Sequence, residues 1–209
     1  MVLKNVETQN GLFLFSKFTN IVMKKGSKII VNNGLFRVGF AMNGIDSSFS
    51  HFKENKITLL EGSTLIINGD VSIAPGTSII VNKNATCTFE GANVIAHNNL
   101  FYCHKRISVG FNSCTSWNCQ FMDADGHQLY SSKGGGRFIE PIVRPLIIGK
   151  NVGFQMNVVV PRGVTIGDNA LISCGVIVRE DLPAESLIYV DQQIKIKKGI
   201  MTPYGKKLE

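Results

Sequence analysis

One histidine in this sequence stands among residues that could do chemistry with it. His127 follows Asp123 and Asp125 by four and two positions in the segment MDADGHQLYSSKGGGRFIEPIVRP. Alternate residues of an extended chain point to one side, so the three side chains are expected to share a face. A neutral imidazole titrates near neutrality and suits proton transfer. One carboxylate would orient the ring and stabilise its charged form, leaving the other for a substrate hydroxyl. Either aspartate is equally a turn former beside Gly126. Ten residues upstream of His127, Trp117 offers a flat apolar face for a ligand ring or a packing anchor at a chain corner.

Other chemistries find less support. His51, His97, His104 and His127 show no His-x4-His spacing of the kind a three-imidazole zinc site uses, so no metal is expected. Five cysteines (Cys87, Cys103, Cys114, Cys119, Cys174) form no CxxC pair and lie at apolar or small-residue positions. They read as buried free thiols rather than a disulfide framework or a zinc knuckle. The formal charge of +7, from 22 basic and 15 acidic residues, favours anionic partners such as a phosphorylated cofactor or a nucleotide-linked sugar. No basic stripe with interleaved aromatics appears, so nucleic acid is not expected as a partner. The opening MVLKNVETQNGLFLF has no apolar h-region and no stretch of 18 apolar residues occurs, so membrane insertion is not expected and a cytoplasmic protein is.

The elements that must position these residues are visible as a repeat. From Ile148 an aliphatic or Phe residue recurs at every sixth position: Phe154, Val160, Ile166, Ile172, Val178. Four residues after each comes a second small or aliphatic side chain: Val152, Val158, Val164, Ala170, Val176, Leu182. Neither a helix, near 3.6, nor a half-buried strand, at 2, gives this alternation of two and four. Gly149-Lys150-Asn151, Arg162-Gly163 and Gly167-Asp168-Asn169 fill the intervals with residues that turn a chain sharply. Each hexad is a short strand and a corner. Less regular copies lie at 67–85 and 109–121, with slips at Ile79 to Val81 and across Gly91 to Arg106 that imply irregular corners or a wider coil. Lys28 to Val38 reads as strand, Asn-Gly corner, strand, placing the first coil near residue 25. Such units bury their apolar faces only by stacking. One domain over 1–209 is expected, interrupted by an extruded loop at about 122–146 and closed by a cap at about 184–209 with a short helix near the end.

The segment IGKNVGFQMNVVVPRGVTIGDNALISCGVIVREDLP, residues 148–183, resembles the hexapeptide-repeat acyltransferases, and SWNCQFMDADGH, residues 116–127, resembles the ISWNVTIMDTDxH segment of sugar O-acetyltransferases of surface-polysaccharide pathways. The resemblance implies an all-β fold, a left-handed parallel β-helix, and the handedness rests on the resemblance alone, because parallel β connections are normally right-handed. It also implies a homotrimer with acetyl-CoA bound between neighbouring coils as co-substrate, and a sugar or nucleotide-sugar acceptor used in polysaccharide or lipopolysaccharide biosynthesis. His127 is then the general base. The backbone around Met156 faces the thioester oxygen, Cys174 and Gly175 form the small pair that lets the cofactor approach, Arg179 and Lys195 meet its phosphates, and Asn98 is an acceptor-side contact.

Three signatures differ from the family on the cofactor side: Val152-Gly-Phe-Gln155, Arg179-Glu180-Asp181 and Asp191-Gln-Gln-Ile-Lys195. They leave open a different cofactor pose or acyl group. N-acetylation of a nucleotide-linked amino sugar and a non-catalytic β-helix scaffold are the competing readings.

Overall fold

In the computed structural model, described for residues 5–40, 54–127, 129–133, 135–136, 138–139 and 142–191, strand alternation sets the architecture. In Thr64–Asn68 the side chains of Leu65 and Ile67 turn inward and are fully buried while their neighbours face out. The same alternation recurs in Lys28–Asn32 and Ser78–Val81. Each inward residue stacks on its counterpart one coil away, and the stack is the core.

Successive strands feed three parallel sheets in rotation. The first sheet carries the column Ile29, Leu65, Cys87, Ile107, Leu146. The second carries Phe36, Val71 and Asn93, and the third Ile57, Ile79, Phe101, Phe121, Val160. The chain is thus an all-β parallel stack, with no helix among the described residues. Phe101 lies flat on Phe121 at 4.7 Å, flanked edge-on by Phe89 and Phe154 at 5.2 and 5.0 Å.

The coils are of unequal length. Partners stand 22 residues apart around Asn68 and Glu90, 20 apart around Asn98 and Asn118, and 18 apart around Asn151 and Asn169. Three hexads make a coil of 18, so the strict six-residue repeat describes only the C-terminal coils. The slip between Ile79 and Val81 is a longer strand in which both residues point inward. The stack also begins earlier than residue 25: Val6–Gln9 pairs with Lys28–Asn32, Leu12–Phe15 with Leu35–Val38, and Thr19–Met23 with Asn55–Leu59.

Asparagines take the left-handed corner positions at 33, 84, 98, 112, 118, 151, 157 and 169, with φ between 51° and 60°. At the corner between the first and second sheets the next coil passes directly over Gly149, and a Cβ there would run into Asp168 and the main chain of Gly167. The described part of the expected cap continues the stack: Leu187–Ile188 pairs with Leu171–Ile172, and Leu182 bridges Ile166. The remainder of the cap, including the expected short helix, lies outside the described residues.

Candidate functional site

Two corners of the stack carry the residues singled out by the sequence, and the third sheet lies between them. The extruded segment leaves at the corner between the third sheet and the first. Gln120–Met122 ends there, and the chain departs as an antiparallel ribbon, with Ala124 bridging Val143 and Leu129–Tyr130 paired to Phe138–Ile139.

Asp123 anchors the ribbon's base. It is fully buried, and its carboxylate accepts the main-chain N–H groups of His104 at 2.6 Å and of Lys105 and Arg106 at 2.7 Å. Its own carbonyl accepts the N–H of Arg144 at 3.0 Å where the ribbon returns. This corrects the expectation that Asp123 shares a face with His127. The strand ends at Met122, so alternation no longer governs the next residue, and a nest of N–H groups holds the carboxylate inside the corner. Burial first, and then the Asp123 charge, pushes the Cys103 thiol well above its ordinary range.

His127 itself is exposed. Its Nδ1 lies 2.7 Å from the main-chain carbonyl of Asp125. A carbonyl only accepts, so Nδ1 carries the proton and Nε2 holds the free lone pair of the neutral ring. The Asp125 carboxylate does not orient the ring. It pairs instead with Arg162, which reaches down from the same corner one coil further on. Between them Gly126, at φ 69°, sits against Tyr102: a Cβ there would stand 3.4 Å from the tyrosine ring. Tyr102 also packs edge-on to His104 at 4.7 Å. His104 Nε2 is buried without a hydrogen-bond partner.

Tyr102, His104 and Arg162 were not singled out from the sequence. The signal was present in the coil step: Tyr102 is the register partner of Met122, so a chain leaving after Met122 must leave beside residues 102–104.

The opposite corner, between the second and third sheets, holds the other candidates in two adjacent columns. Main-chain bonds link Asn98 to Pro75, Asn118 to His97, Asn157 to Trp117 and Gly175 to Met156, at 2.9 to 3.2 Å. One column therefore runs Pro75, His97, Trp117, Met156, Cys174, and the next Gly76, Asn98, Asn118, Asn157, Gly175. Trp117 and Met156 are 37% and 39% exposed, so Trp117 is a surface residue rather than a buried anchor. His97 is only 7% exposed, and neither ring nitrogen has a hydrogen-bond partner. Gly175 faces open space, while Cys174 is exposed, its N–H and thiol turned to Gln155 Oε1 at 3.1 and 3.3 Å. Cys174 and the half-buried Cys114 thus depart from the expectation of buried thiols.

The structure brings Asn98, Trp117, Met156, Cys174 and Gly175 to one corner and Asp125, His127 and Arg162 to the other. Arg179 is exposed, following the buried Val178, whose N–H bonds Val159; it stands on the His127 side, away from Cys174 and Gly175. A four-residue strand such as Leu100–Cys103 separates the corners, roughly 13 Å of extended chain. Lys195 lies outside the described residues. Among those described, no three His, Cys, Asp or Glu side chains cluster as a metal site would require.

No protein-family profile matches the chain. Among solved structures, the chain is similar over most of its length to the polySia-specific acetyltransferase NeuO, at 16% identity and a TM-score of 0.42, with 97% of this chain and 94% of that one covered, and to the polysialic acid O-acetyltransferase OatWY, at 16% identity and 0.37, with 94% of each covered.

Proposed function

We propose that the protein is an acyltransferase that moves an acetyl group from acetyl-CoA to a sugar hydroxyl, in the cytoplasm and in the service of polysaccharide biosynthesis. One observation carries the reading: His127 has its Nδ1 proton committed to the Asp125 carbonyl and its Nε2 without a partner among the described residues, on a ribbon tied down by Arg162. Nε2 takes the proton of the acceptor hydroxyl as that oxygen attacks the thioester carbonyl. The tetrahedral oxyanion collapses, the carbon–sulfur bond breaks, and the departing thiolate takes the proton back from the imidazolium. A main-chain N–H at the Met156 corner stabilises the oxyanion.

Within one chain His127 and Met156 stand at opposite corners of the third sheet. The reading therefore has the ribbon of one copy working over the Met156 corner of a neighbour, in the homotrimer that the sequence resemblance implies. Met156, Cys174 and Gly175 of the neighbour line the pantetheine, and Arg179, on the His127 side of the first copy, meets the phosphates together with Lys195.

A second reading, a scaffold without transferase activity, is favoured by Gln155, whose carboxamide caps the Cys174 N–H where the resemblance places the cofactor. Calorimetry with acetyl-CoA on the wild type and His127→Ala separates the two. The transferase reading expects micromolar binding to both and turnover only by the wild type. Absence of binding to either protein overturns the acetyl-CoA reading and favours the scaffold.

A further inference from the structure

The corner between the second and third sheets carries a groove of about 660 Å³ that crosses four coils. Its walls are Ser78, Asn98, Asn118, Gln120 and Asn157, with Leu100 as an apolar patch between them. None of these side chains is charged. Lys56, the register partner of Ser78, stands one coil below the groove's end.

The asparagines here differ from those of the neighbouring corner. Between the first and second sheets the carboxamides form a closed ladder, Asn112 to Asn151 and Asn151 to Asn169, each at 3.0 Å. In the groove Asn98 donates to Asn118 at 2.6 Å and the ladder stops: among the described residues no bond joins Asn118 to Asn157. The Asn118 amide, the Asn157 carboxamide and the Gln120 side chain are all left open to the groove. A carboxamide both donates and accepts, as a sugar hydroxyl does. A polyanion is held by cations, which the groove walls lack. Four coils at about 4.8 Å spacing give roughly 14 Å of length, more than one sugar ring fills.

We propose that this groove binds the acceptor as an uncharged, hydroxyl-rich glycan segment of several sugar units lying along the stack. The inference deepens the transferase reading and rests on it for the fate of the bound glycan. The acceptor runs down the corner from the Met156 end, and its specificity is set by carboxamides rather than by charge.

The test is an array of neutral and acidic oligosaccharides probed with the wild type and with the double variant Asn118→Gly, Gln120→Ala. Glycine keeps the left-handed corner conformation that Asn118 occupies, at φ 60°, and removes only the carboxamide. Neutral glycans should bind the wild type, and the double variant should lose about tenfold or more in affinity. Binding restricted to acidic glycans, binding untouched by the double variant, or no binding across the array overturns the proposal. Acetyl-CoA binding measured on the same samples keeps the two failures apart: glycan bound without acetyl-CoA sinks the transferase and spares the groove, and the reverse does the opposite.

Discussion

Asp123 and Asp125 are two residues apart and do different work. The buried Asp123 carboxylate satisfies three main-chain N–H groups, so Asp123→Asn turns an amide donor towards them and should cost about 2–4 kcal/mol, read as a lower urea midpoint with unchanged slope. Asp125 pairs with Arg162 where both are about a third exposed, and such pairs contribute at most about 1 kcal/mol. Arg162→Ala should therefore leave the urea midpoint nearly in place while lowering kcat, because the ribbon that carries His127 loses its tether. His127→Ala should lower kcat by ~10²–10⁴ in a steady-state transfer assay, with acetyl-CoA affinity retained. A variant within twofold of wild type would remove the base from His127.

The thiols make a pH prediction. Burial raises the pKa values of Cys87, Cys103 and Cys119, so the folded protein keeps protons that the unfolded chain releases above about 8.5. Their contribution to stability is complete below that pH and declines as the pH rises beyond it. The urea midpoint should fall between pH 8 and 10. Iodoacetamide at pH 8 should label Cys174 in the native protein and spare these three, which mass spectrometry resolves.

At the scale of elements, legibility followed coil length. The C-terminal coils were readable because an 18-residue turn places one inward residue on each side of each corner, the alternation of two and four seen from Ile148 to Leu182. Around Ser78–Val81 the turn is 22 residues, each strand gains a second inward side chain, and the pattern reads like ordinary strand alternation. The first coil was hidden for another reason. Leu12 and Leu14 of LFLF are exposed at the end of the stack, so no burial pattern marks them. The place of His127 on the extruded segment was legible in the sequence, whereas Arg162 and Tyr102 meet the ribbon from adjacent coils, and only the register reveals that. Close passage at the corners is testable on one residue: Gly149→Ala forces a Cβ against the next coil and should destabilise by about 1–3 kcal/mol.

For the whole molecule, the placement of His127 and Met156 at opposite corners makes the quaternary prediction specific. Sedimentation at micromolar concentration should give a trimer, and mixing His127→Ala with Met156→Pro chains should restore activity that neither variant has alone, because each supplies the half of a site the other lacks. Pro removes the Met156 main-chain N–H that the proposed oxyanion contact uses. A monomeric enzyme with full activity would contradict the shared site.

The constancy of the coil step has a kinetic consequence. From Asn55 to Met122 and again from Leu146 to Ile188, strand partners are separated by about a tenth of the chain at every level of the stack. Closing one coil therefore needs only a short loop, whichever coil closes first, and each finished coil is the template for the next. The longest closure is the one that spans the ribbon, joining Cys114–Thr115 to Gly153–Phe154. Refolding should accordingly proceed as two zippers that meet there, with the segment that carries His127 among the last to become ordered and the first to open.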